Sequence, residues 1–150
     1  LIGLLRGFGC KILVNDIIEQ KDYYRENKLV ETDKEEIFKT ADIISVHTPL
    51  DSSTEKMFTE SIFSLMKQSS FLINVARGGI VDQLALKTAL MENNIAGAAI
   101  DVYEIEPCND FELLKLPNLY CTPHTGGSSE QSMLAMGRSA INHLKKYFEL

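Results

Sequence analysis

Five short, almost unbroken apolar runs punctuate the chain: Lys11 to Asn15, Ala41 to Val46, Phe71 to Val75, Gly97 to Val102 and Leu119 to Cys121. Each has the length of a strand, and the segments between them carry helical patterning. A strand with one wet face alternates polar and apolar residues. A near-continuous apolar run marks a parallel strand covered on both faces. Strands of this kind alternating with helices predict a doubly wound, Rossmann-like α/β domain with a parallel sheet. At 150 residues and 45% hydrophobic content the chain has the means for one sizeable core. It contains no internal repeat, low-complexity segment or linker, so it reads as one domain.

The elements follow in order. Leu1, Leu4, Leu5 and Phe8 recur at helical spacing, and the helix stops at Gly7-Phe8-Gly9, where a glycine takes the left-handed cap. Beginning at Leu inside a helical pattern, the sequence reads as a fragment or an excised domain. Residues 17–40 are polar, with Tyr23 and Tyr24 among them. They close on a short helix with Asp33 as N-cap and Ile37 and Phe38 as its apolar face. Pro49 ends the second strand. Thr59 caps a helix carrying Ile62, Phe63 and Met66. The helix from Asp82 to Asn94 presents Leu86, Ala89 and Leu90, with Asn94 as its left-handed C-cap. The last helix carries Met133, Met136, Gly137, Ala140, Ile141, Leu144 and Phe148 on one face.

Composition excludes several partners. The net charge is −6 and no basic cluster occurs, which argues against nucleic acid and against an anionic membrane surface. No apolar run reaches the length of a membrane span. Cys10, Cys108 and Cys121 are odd in number and lack metal-ligand spacing, so no metal site is expected and a reducing, cytoplasmic setting is.

Ligands of open parallel sheets bind outside the carboxyl ends of the strands. The residues at those ends are Asp16, His47, Arg77, Asp101 and His124, with Glu106 close behind Asp101. This set holds a candidate base, carboxylates and a cation, the inventory of a proton-transfer site with an anion clamp. Asp16 reads either as a turn former or as an acceptor for ribose hydroxyls. With Ile17 and Ile18 following and no Arg, the second reading favours NAD over NADP. Arg77, delivered into Gly78-Gly79, forms either a salt bridge with Asp82 or Glu106, or a planar fork for a carboxylate. His124 is either a structural residue or, beside Gly126 and Gly127, a base approached closely by a ligand and oriented by Glu106. His47 reads as a corner residue and His143 as a surface one.

N-V-A-R-G-G-I-V-D (74–82), G-A-A-I-D-V-Y-E-I-E-P (97–107), H-T-P-L (47–50) and P-H-T-G-G (123–127) resemble, in order, the D-isomer-specific 2-hydroxyacid dehydrogenase family. Within it the wording is most similar to phosphoglycerate dehydrogenases. The resemblance implies an NAD-binding domain and hydride transfer at C2 of a small 2-hydroxy or 2-oxo acid. It implies that Arg77 binds the substrate carboxylate and carbonyl, and that Glu106 and His124 are the acid–base pair. Asp101 is placed beside the nicotinamide and Asp16 at the ribose. Thr48, Val75, Ala76, Gly126 and Gly127 line the cofactor, with Arg77 and His124 also in reach of it. The family's G-x-G-x-x-G loop and first strand do not occur here, and the substrate domain is absent. The expectation is therefore a partial domain with unpaired strand edges, inactive by itself and part of a homodimer in its full-length parent. The competing expectations are a corepressor or sensor that binds NAD, and an inactive remnant.

Overall fold

The computed structural model describes residues 1–148. Its strands are β1 (Leu13–Val14), β2 (Val30–Glu31), β3 (Ile43–Val46), β4 (Phe71–Asn74), β5 (Gly97–Ile100) and β6 (Leu119–Cys121). The helices are α1 (Ile2–Leu5), α2 (Lys21–Glu26), α3 (Lys34–Thr40), α4 (Glu60–Leu65), α5 (Gln83–Met91) and α6 (Glu130–Tyr147). Every strand pair is parallel. β3, β4, β5 and β6 form one sheet in sequence order, while β1 and β2 pair separately. Among the described residues the two sheets share no ladder.

Register decides where the strands end. Val46 stands opposite Asn74, and Asn74 opposite Ile100. The segments that follow β3, β4 and β5 therefore emerge along one edge. α4 and α5 make the crossovers between these strands. With Phe38 of α3, their residues Phe63, Leu86, Ala89 and Leu90 pack on Ile44, Val46, Leu72, Ala98 and Ile100. Phe58 joins them, edge-on to Phe38 with ring centroids 5.3 Å apart.

Only this face is sealed. Leu72 is fully buried, but on the opposite face Ile43 is 61% exposed and Phe71 47%. The continuous apolar runs predicted cover on both sides. In the structure α3, α4 and α5 all return to one side. The apolar positions of α1, of the turn after it and of α6 find no place in the core: Leu4, Phe8, Met133, Met136, Ile141 and Leu144 are exposed.

Local chemistry agrees with the sequence at most caps. Asp33 accepts the Glu36 N–H (2.7 Å) and Asp82 the Ala85 N–H (3.1 Å). Gly9 is left-handed, with φ 66°. Other expectations need correction. Thr59 occupies the N-cap of α4, but its hydroxyl bonds Ser61 and not a helix N–H. The left-handed residue after α5 is Asn93 (φ 56°), not Asn94, because α5 ends at Met91. β2 lies within a stretch read as polar helix and loop. The apolar run 11–15 yields only the two ladder residues that have β2 to pair with.

Leu72→Ala is expected to destabilise the chain by about 2–5 kcal/mol, because its side chain is fully buried in the sealed face of the sheet. Met136→Ala, on a helix outside the core, is expected to stay within about 0.5 kcal/mol of the parent. Chemical denaturation of both variants checks the contrast.

Candidate active site

The turn after β4 is built from the side chain that ends the strand. Asn74 Oδ1 accepts the Ala76 N–H (3.1 Å), and its Nδ2 donates to the Arg77 carbonyl (3.0 Å). A short 3-10 turn, Gly78–Ile80, follows and leads into the Asp82 cap of α5. Gly78 is pressed against the neighbouring loop. A Cβ there would lie 1.9 Å from the carbonyl carbon and oxygen of Tyr103, so no side chain fits without moving backbone.

Both carboxylates offered by the sequence as partners of Arg77 are engaged elsewhere. Asp82 accepts from Lys56 Nζ (3.1 Å), and Glu106 Oε2 contacts His124 Nδ1 (2.7 Å). The exposed guanidinium meets no carboxylate among the described residues and donates from Nη1 to the Ala76 carbonyl (2.6 Å). Arg77 lines a cavity of about 630 Å³ with His47, Thr48, Pro49, Leu50 and Ala76. In that wall the Thr48 hydroxyl oxygen is buried without a hydrogen-bond partner. A polar group left unmet beside a cavity fits a site that a polar ligand completes.

The second half of the site hangs from β5 and β6. Glu106 receives the Tyr103 N–H on Oε1 (3.1 Å) and faces His124 with Oε2. The His124 hydrogen bond first, and the Tyr103 N–H second, hold the Glu106 carboxyl below the usual carboxylate range. A carboxylate on Nδ1 puts the ring proton there and leaves Nε2 as the free nitrogen. His124 itself is left-handed, with φ 55°. Its loop is wrapped on Asp101, which is buried at the end of β5. Asp101 Oδ1 accepts the Thr122 hydroxyl (2.5 Å) and the Thr125 N–H (2.8 Å), and Oδ2 accepts the Gly126 N–H (2.8 Å). Burial pushes the Asp101 carboxyl up, but these three bonds outweigh it and the net shift is downward. Oδ2 keeps one lone pair free. The Tyr103 hydroxyl donates to the Thr122 carbonyl (2.9 Å) and fixes the same loop from below.

The structure thus joins Arg77, Ala76 and Thr48 in one cavity, and Asp101, Glu106, His124 and Gly126 in one hydrogen-bonded loop cluster. Val75 is exposed between them, and Gly127 has nothing within 4 Å of an added Cβ. Asp16 stands apart, after β1 on the separate sheet. It accepts the Ile18 N–H (3.0 Å) and makes no bond to this cluster. His47 rests on Ser45, Nε2 to Oγ 2.9 Å, at the cavity wall. Asn74, Tyr103 and Thr122 were not singled out from sequence. The one available sign was a polar Asn at the end of an apolar run, three residues before Arg77. No group of His, Cys, Asp and Glu that could hold a metal occurs among the described residues.

Residues 1–126 match the family described as D-isomer specific 2-hydroxyacid dehydrogenase, NAD binding domain. A glyoxylate reductase of Korarchaeum cryptofilum is 37% identical over 140 residues, spanning 93% of this chain and 42% of that protein. A D-3-phosphoglycerate dehydrogenase of Methanocaldococcus jannaschii is 38% identical over 143 residues, spanning 94% and 27%. Among solved structures, the NAD complex of a D-isomer specific 2-hydroxyacid dehydrogenase from Lactobacillus delbrueckii superposes with a TM-score of 0.83. It is 34% identical and covers 97% of this chain and 48% of that one. The chain spans less than half the length of these relatives.

Asp101→Asn is expected to lower stability at pH 7 by roughly 2–3 kcal/mol, because an amide nitrogen then faces one of three loop donors. The sign follows from the lowered carboxyl. Its contribution is present above the unfolded value of about 3.9 and is lost as pH falls through the folded one. The gap between parent and variant therefore narrows below about pH 4, as read by denaturant titration at several pH values.

Proposed function

This chain belongs to the D-isomer specific 2-hydroxyacid dehydrogenase family through its NAD-binding domain, and on that premise we propose that it carries the acid–base centre for oxidation and reduction at C2 of a small 2-hydroxy acid. The observation that supports this most directly is the 2.7 Å contact of His124 with Glu106, on the same sheet edge as an arginine that meets no carboxylate among the described residues.

The residues fit the cofactor as far as they extend. Asp16 would receive ribose hydroxyls, and its charge disfavours a 2′-phosphate. Thr48 has the unmet hydroxyl, Ala76 borders the cavity behind the exposed Val75, Gly126 is packed on the Asp101 carboxylate, and Gly127 leaves open space at the histidine loop. Asp101 has one acceptor position left for a polar group of the nicotinamide end. NAD, when bound, is the partner that exchanges hydride with C2.

His124 accepts the C2 hydroxyl proton on Nε2 during oxidation and returns it during reduction. Glu106, kept ionised by its two hydrogen bonds, holds the Nδ1 proton and stabilises the imidazolium while His124 carries charge. Arg77 binds the substrate carboxylate through its planar fork and polarises the adjacent C2 oxygen. Similarity is nearly equal to glyoxylate reductase and to D-3-phosphoglycerate dehydrogenase relatives. Our reading is a phosphoglycerate-like 2-hydroxy acid, with the rest of the polypeptide supplying the other wall of the cleft and the exclusion of water.

In the full-length enzyme, His124→Gln is expected to lower kcat by about 10²–10⁴ while NADH affinity stays within twofold. Steady-state reduction of 2-oxo acids with and without a phosphate, alongside NADH fluorescence titration, checks both. Turnover that survives the substitution sinks the acid–base assignment. NADH binding with no turnover of any 2-oxo acid by the parent points instead to a cofactor-sensing protein.

A further inference from the structure

We propose that Asn74 is a positioning residue that aims the Arg77 guanidinium, an inference that rests on the proposed role of Arg77. Asn74 ends β4 and is 1% exposed, and both its amide oxygen and its amide nitrogen are hydrogen-bonded. Oδ1 holds the Ala76 N–H at 3.1 Å and Nδ2 holds the Arg77 carbonyl at 3.0 Å, so one side chain closes a ring over Val75 and Ala76. Its own carbonyl accepts the Asp101 N–H (3.1 Å), which ties this ring to the strand that carries the other half of the site.

The dependence of Arg77 on that ring follows from what Arg77 lacks. Among the described residues its guanidinium has no ion pair to hold it, and its contact is with the carbonyl of Ala76, inside the same turn. Ala76 is thus fixed by Asn74 through its N–H and fixes Arg77 through its C=O. Arg77 itself has an extended backbone (φ −146°, ψ 140°), so the Val75–Ala76 turn sets the direction in which the side chain leaves. An apolar residue at position 74 would fill the space but orphan a donor and an acceptor. An aspartate would keep the Ala76 bond and lose the one to Arg77.

The test uses the full-length enzyme with NADH and oxamate, an isostere of a short 2-oxo acid. Asn74→Ala and the isosteric Asn74→Asp are each expected to weaken oxamate binding about tenfold and to leave NADH affinity within twofold. In an Arg77→Ala background, where no guanidinium remains to be aimed, Asn74→Ala is expected to change oxamate affinity by less than twofold. An equal loss in both backgrounds, or no loss in either single variant, overturns the proposal. Hydrogen exchange reads the turn independently of activity: the Ala76 amide is expected to lose at least tenfold protection in Asn74→Ala. Unchanged protection there overturns the proposal even where the parent binds no oxamate, an outcome that would separately overturn the role given to Arg77.

Discussion

Everything in this site depends on how closely the arginine turn lies on the loop after β5. Gly78 sits so near the Tyr103–Glu104 backbone that an added Cβ would fall 1.9 Å from one and 2.6 Å from the other. Through this contact a turn at the end of β4 and a loop at the end of β5 become one rigid surface. Tyr103 then distributes the constraint. Its N–H orients Glu106, and its hydroxyl holds the Thr122 carbonyl two residues before His124. The positions of Arg77 and His124 are thus set by the same few backbone atoms.

Charge is sorted around this contact so that, among the described residues, Arg77 is left out of the local ion pairs. Lys56 takes Asp82, with Glu104 4.0 Å away, and its N–H also bonds the Gly79 carbonyl. Glu104 in turn accepts the Gln83 N–H at the start of α5. The helix N-terminus is therefore already served by two protein carboxylates and has little left for an anionic ligand. Farther along, Lys87 binds both Asp110 and Glu112 and fastens the segment that follows Glu106. With these pairs made, and with Glu106 occupied by His124, Arg77 meets no carboxylate among the described residues.

Much of this was readable in the residues. Apolar runs placed five of the six strands, and Asp33, Asp82 and Gly9 marked helix boundaries because capping is local chemistry. The residues at the strand ends were found by position alone, since a parallel sheet brings its carboxyl ends together. What failed had physical causes too. Val30–Glu31 carries too short an apolar signal to register as a strand and owes its existence to Leu13–Val14 beside it. The amphipathic patterns of α1 and α6 state only that an apolar face exists, and in this chain that face does not enter the core. Asn74 was legible as the polar end of a strand but not as the residue that closes the arginine turn.

By itself, then, the sequence determined the parallel α/β class, the order of its elements and the chemical identity of the groups at one sheet edge. These follow from periodicity and from preferences acting over a few neighbouring residues. Only the tertiary structure decided who partners whom. Glu106 meets His124 across 18 positions, Asp101 holds Thr125 across 24, and Lys56 takes Asp82 across 26. Hydrogen bonds and ion pairs act over about 3 Å, and such distances between residues far apart in the chain exist only once the strands are in register. Arg77 could have been a salt bridge or a clamp on sequence grounds. Folding placed both carboxylates that could have bound it in other hands.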